Sequence, residues 1–118
     1  MADSFPVPDG VKAELRKGLK WHEEGHSGDG LVAETVSWAR KMANGQPISA
    51  DKAKKMNAWL ARHKVDKKGE GFSPGEKGFP SPGRVAWALW GGDPAVGWAN
   101  KLAKRLELGK TMKKKRKA

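Results

Sequence analysis

Pro80-Ser-Pro-Gly-Arg-Val-Ala-Trp-Ala-Leu-Trp-Gly-Gly-Asp-Pro-Ala-Val-Gly-Trp98 is the stretch around which the rest of this chain is organised. It holds two helix-start signals, Ser81 before Pro82 and Asp93 before Pro94. Each pairs a capping side chain with a proline at the first helical position. Between them, Val85 to Trp90 is apolar without a break, which predicts a short helix buried nearly all round. Gly91-Gly92 ends that helix at a corner, and a second helix is expected to fold back over it. Three of the six tryptophans, Trp87, Trp90 and Trp98, fall here. At roughly 150–250 Å² buried per large aromatic, such residues dominate a small core.

Working outward, 118 residues suffice for one domain with one modest core. The absence of cysteine excludes disulfides and thiolate-bound metals. No apolar run approaches the ~20 residues of a transmembrane helix, and Met1–Pro8 does not read as a signal peptide. A membrane partner is therefore not expected. Tyrosine is missing and β-branched residues are scarce, whereas Ala, Leu, Lys and Glu abound. The expected fold is all-α: a compact domain of about five short helices over residues 9–109, with a Trp-rich core and a long ordered loop. Residues 1–8 read as a flexible lead-in and 110–118 as a disordered polybasic tail.

Asp9 is positioned to cap a first helix running to about Glu24, with Val11, Leu15, Leu19 and His22 on one stripe. After the Gly25–Gly30 loop, a second helix over Leu31–Ala43 turns Val32, Val36, Ala39 and Met42 inward, with Trp38 flanking. Asn44-Gly45 stops it. Ser49 caps a third helix in which Ala53, Met56, Leu60 and His63 cluster on one side, with Trp59 at the edge. Lys54, Lys55 and Arg62 cluster opposite. Val65–Phe79 is a long Gly- and Lys-rich loop, which Phe72 and Phe79 are expected to pin to the body. The last helix turns Trp98, Ala99, Leu102 and Leu106 inward and Lys101, Lys104 and Arg105 outward, and Gly109 closes it.

The net charge of +11 is unevenly distributed. Residues 1–30 carry −2, 31–64 carry +5, 65–83 are neutral, 84–109 carry +2 and the last nine residues carry +6. Such a chain is drawn to polyanions, of which nucleic acid is the commonest. Phosphate contacts are expected from Lys52, Lys54, Lys55, Arg62 and Lys64, from Lys67, Lys68 and Lys77, from Arg84, and from Lys113, Lys114, Lys115, Arg116 and Lys117. The terminal run also reads as a nuclear-localisation signal or as a solubilising tail.

Several motifs carry less. His22-Glu23-Glu24-Gly25-His26 satisfies the zinc-protease spacing H-E-x-x-H, but Gly25 is expected to end the helix between the two imidazoles, and a third ligand is lacking. The second and third helices, with Asn44–Ile48 between them, admit a helix-turn-helix reading. That connector is long for the motif, and lysines read phosphates rather than bases. Ser81–Arg84 offers either an anion site at a helix start or a plain cap, and Gly91-Gly92-Asp93 reads as a corner. For Trp21, Trp38 and Trp59, core packing is the default and base stacking the alternative. Without a nucleophile–base arrangement or paired carboxylates, no enzyme and no cofactor is expected.

Ala61-Arg-His-Lys-Val-Asp-Lys-Lys68, then Pro80 to Asp93, then Trp98 together resemble a small domain encoded in many tailed-bacteriophage genomes. The likeness spans roughly Asp9 to Leu106. It implies an all-helical fold and a viral setting of DNA handling or particle assembly, in the host cytoplasm or the virion. It assigns no functional residue and does not reach the polybasic end. The expectation is thus a non-enzymatic DNA-binding phage protein with weak sequence preference. The alternative is a module that docks a phage or host protein through the Val65–Phe79 loop and an exposed tryptophan.

Overall fold

The computed structural model describes residues 4–27 and 33–117, with side chains up to Leu106. Its elements run β1 (Ser4–Phe5), α1 (Asp9–Glu23), α2 (Ala33–Ala43), β2 (Ile48–Ser49), α3 (Ala50–His63), a 3₁₀ turn (Lys64–Lys68), α4 (Pro82–Leu89) and α5 (Gly92–Lys117). Among the described residues the fold is all-α apart from one two-residue strand pair. Ser4–Phe5, expected in a flexible lead-in, pairs antiparallel with Ile48–Ser49, setting Phe5 opposite Ile48. Burial of Val7 and Ile48 holds this pair to the body.

Helix α1 is central, packing against α2, α4 and α5, while α3 lies along α5. Val11, Leu15 and Gly18 form its buried stripe, and the expected Leu19 and His22 are half-buried beside it. Gly18 is the point of closest approach to α4. A Cβ there would stand 2.9 Å from Ala88 Cβ and 3.0 Å from the Leu89 nitrogen, so only glycine lets the two helices meet. In α2, Val36, Ala39 and Met42 face inward as expected. Leu31 and Val32, assigned to the same helix by the sequence, lie outside the described residues. In α3, Ser49 Oγ accepts from Lys52 N at 3.2 Å, and Ala53, Met56 and Leu60 are buried.

The central helix matches its reading. Ser81 Oγ accepts from Arg84 N at 3.1 Å, Pro82 opens the helix, and Val85, Trp87, Ala88 and Leu89 are buried. At the corner Gly91 takes φ +103° and packs against Ala95 and Val11, a conformation and a space that admit no side chain. The long loop is pinned as expected. Phe72 is buried edge-on to Trp87 at 6.1 Å, and Phe79 stands edge-on to Trp21 at 5.5 Å.

Three expectations need correction. Asp9 does not cap α1. Pro8 takes the cap position, with its carbonyl accepting from Lys12 N at 3.0 Å, and Asp9 is the first helical residue. Asp93 is not a plain cap either, because its carboxylate reaches across to Lys67 and Trp87. Gly109 does not close α5, whose backbone stays helical to Lys117. One interior glycine costs only about 1 kcal/mol, and no proline follows to force a stop. Helix α2 packs chiefly on α1 and α3 chiefly on α5, and strand β2 lies between the two in sequence.

Candidate functional site

The positive charge is segregated by element. Helix α3, the 3₁₀ turn and α5 together contain 16 of the 24 basic and 4 of the 13 acidic residues, a net +12, while the rest of the chain carries −1. These elements are contiguous: α3 packs along α5 and against the 3₁₀ turn. Asn100 Nδ2 donates to Asn57 Oδ1 at 3.4 Å across the α3–α5 seam. Lys55 and Arg62 of α3, Lys64 and Lys68 of the turn, and Lys101, Lys104 and Arg105 of α5 are exposed. The α5 cations are a contribution that reading the helices singly did not attach to the site.

Not every expected phosphate contact is available. Arg84 is withdrawn into the body, where its guanidinium bonds Glu14 at 3.1 and 3.4 Å. It also lies 4.9 Å from the Trp21 ring and 5.5 Å from Phe72. With the two side chains 13% and 12% exposed, this is a structural ion pair. The anion-site reading of Ser81–Arg84 loses its arginine accordingly. Lys67 Nζ donates to Asp93 Oδ1 at 2.8 Å and stands over Trp87. The same oxygen accepts from Trp87 Nε1 at 3.0 Å. Burial would raise the Asp93 carboxyl, but the hydrogen bonds from Lys67 and Trp87 and the charges of Lys67 and Arg84 outweigh it and hold it below its usual 3.8.

Lys54 is half-buried and Lys77 is exposed in the long loop. The side chains of Lys113, Lys114, Lys115, Arg116 and Lys117 lie outside the described residues.

Lys52 differs from all of these. Its ammonium lies over two indoles, 4.4 Å from the Trp90 ring centroid and 4.9 Å from that of Trp38. Desolvation lowers its pKa from 10.5 to about 8; the Glu34 carboxylate opposes that fall and Lys55 adds to it. Around it opens a cavity of about 380 Å³, whose walls include Glu34, Thr35, Ser49, Asp51 and Lys55. The sequence placed Lys52 at a helix start and Trp38 at a helix edge. What it lacked was Trp90, which tertiary packing brings from the end of α4.

His22 and His26 are not brought together. Helix α1 ends at Glu23, His22 Nδ1 shares a 2.5 Å hydrogen bond with Ser27 Oγ, and His26 lies 4.0 Å from Glu24. Among the described residues no group of three or more His, Asp and Glu side chains is arranged to hold a metal ion. Among those residues, too, no helix is long and apolar enough to cross a membrane. Comparison with known proteins gave no matching family model, no matching curated protein and no matching solved structure.

Proposed function

We propose that this protein binds nucleic acid, duplex DNA foremost, through the cationic flank formed by α3, the 3₁₀ turn and α5. The contacts are phosphate contacts with weak sequence preference, and the protein is not an enzyme. The observation that carries this reading is the segregation of charge: +12 on three contiguous elements, +7 of it on residues whose side chains are described, against −1 elsewhere. Lys55, Arg62, Lys64, Lys68, Lys101, Lys104 and Arg105 supply exposed cations on that flank. The polybasic end of α5 extends it in sequence. The amides of this flank, Asn57 and Asn100, are half-buried and bond each other, and the exposed cations around them favour phosphates over base edges. The viral setting implied by the resemblance, host cytoplasm or virion, is part of the same proposal.

The docking alternative has less to stand on. The Val65–Phe79 loop folds its phenylalanines inward, leaving Val65 as the one large exposed apolar side chain among the described residues. A pull-down from nuclease-treated lysate would test for a protein partner directly.

The primary test is a gel-shift titration of duplex DNA at rising salt, with the full chain and with a chain ending at Gly109. Binding at ~50 mM salt should fall steeply as salt rises, with a log–log slope near −0.9 per phosphate neutralised, and the shortened chain should show a shallower slope. Absence of binding at low salt, or binding indifferent to salt, would refute the proposal.

A further inference from the structure

Beside α3, side chains from three parts of the chain form one column. The His63 ring lies on Trp59 with centroids 4.1 Å apart, and Trp59 lies on Trp90 at 4.9 Å with 9° between the planes. The Lys52 ammonium follows, over the rings of both Trp90 and Trp38, and Lys41 Nζ stands 5.1 Å from the Trp38 centroid. Lys52, Trp59 and His63 recur at i, i+7 and i+11, a spacing that keeps all three on one stripe of α3. A flexible lysine rather than a ring thus lies over both Trp38 and Trp90, and all three line the open cavity.

We propose that this slot accepts one unpaired base of a nucleic-acid strand, stacked between Trp38 and Trp90 in place of the Lys52 ammonium. This rests on the nucleic-acid reading above and adds which state of the strand is recognised. Indole faces stack on any base, since every base has a π-face. One wall is braced in advance, because Trp59 and His63 back Trp90. A nucleotide brings a phosphate that suits Lys55 and the displaced Lys52, both of which line the cavity. Glu34 and Asp51, which also line the cavity, disfavour a phosphate on their side and can accept from the exocyclic amino group of a base. Desolvation already penalises the Lys52 charge in the slot, so moving that ammonium out to a phosphate in water relieves the penalty. The cavity volume lies within the range of ordinary small-ligand sites. A base inside an intact duplex cannot reach such a slot without leaving the stack.

The test uses the full chain and fluorescence anisotropy at matched ionic strength. Three DNA probes are compared: a duplex, the same duplex with one bulged base, and a single strand. A deoxynucleoside monophosphate serves as competitor. The bulged duplex should bind about tenfold more tightly than the plain one, the order of effect of one stacked base. Trp38→Leu keeps an apolar side chain but removes the ring. It should abolish the preference while leaving plain-duplex affinity within about twofold, and Trp38→Phe should retain most of the preference. Circular dichroism on each variant verifies the fold.

Equal affinity of the wild-type chain for plain and bulged duplex would overturn the slot and leave the phosphate-binding reading standing. Equal losses on both probes in Trp38→Leu would do the same. Competition by the mononucleotide at the concentration of the bulged strand would also overturn it, pointing to a soluble nucleotide as the occupant. Failure to bind any probe would end both proposals.

Discussion

Arg84 and Lys52 each set a cation against tryptophan, yet the two regions behave as opposites. Around Arg84 the charge is closed off: Glu14 takes both guanidinium nitrogens, and Trp21 and Phe72 cover the group. The neighbouring Lys67 is held likewise by Asp93. Around Lys52, two indoles supply the contact, and among the described residues no carboxylate lies within 4.0 Å of its ammonium. A cation neutralised by a carboxylate ties elements together, here α1 to α4 across 70 residues of chain. One set over ring faces in an open cavity, with Glu34 acting on it from beyond ion-pair distance, can be displaced. Counting lysines and arginines as equivalent phosphate contacts misses this division.

The sharpest way to break the comparison is to delete the arginine. Arg84→Ala leaves the largely buried Glu14 carboxylate with Lys17 alone, 3.1 Å away, and removes the guanidinium from Trp21 and Phe72. It should lower unfolding free energy by about 2 kcal/mol, read from urea denaturation. Lys52→Met should cost less than about 1 kcal/mol at pH 7 or stabilise the fold, since it removes a desolvated charge and keeps the packing. Comparable losses in the two variants would erase the distinction.

A middle-sized effect is expected at Asp93. Asp93→Ala leaves the Trp87 indole N–H without its acceptor and should cost about 1–2 kcal/mol. Because the folded state depresses this carboxyl, its contribution is present above 3.8 and is lost as pH falls below that value. Wild type and variant should therefore converge in stability on acidification through that range. A gap that persists unchanged at low pH would show that the carboxylate charge contributes nothing.

The smallest effect concerns Lys52 and the alkaline limb. Its pKa is about 8 folded and 10.5 ordinarily, so between these values the unfolded chain binds more protons and stability rises with pH. The wild type should gain stability relative to Lys52→Met from about pH 8 to about pH 10.5, measured by denaturation at fixed ionic strength. Parallel curves would mean that the ammonium is well solvated in its slot.

What the sequence made legible was local. The Ser49 and Ser81 caps, the Gly91 corner, the stripe of Ala53, Met56 and Leu60, and the anchoring of the loop by Phe72 all follow from residue type and spacing. What it hid depended on distant partners. Asp93 carries the signature of a helix cap, and only tertiary packing shows that Lys67 and Trp87 claim it. Arg84 beside a helix start suggests an anion site until Glu14 is seen next to it. The cationic outer face of α3 was readable from helical period, whereas its alliance with Lys101, Lys104 and Arg105 required the packing of α3 along α5. The Lys52 slot needs α2, α3 and the end of α4 at once, and no local pattern encodes that meeting.

The most direct measurement is the salt dependence of duplex binding in two paired variants. One neutralises the flank, Lys55→Gln with Arg62→Gln; the other neutralises α1, Lys12→Gln with Lys20→Gln. The flank pair should weaken binding and make the log–log salt slope shallower by about 2, while the α1 pair should leave both unchanged. Equal losses from the two pairs would contradict a cationic flank and reduce the interaction to the net charge of the whole molecule.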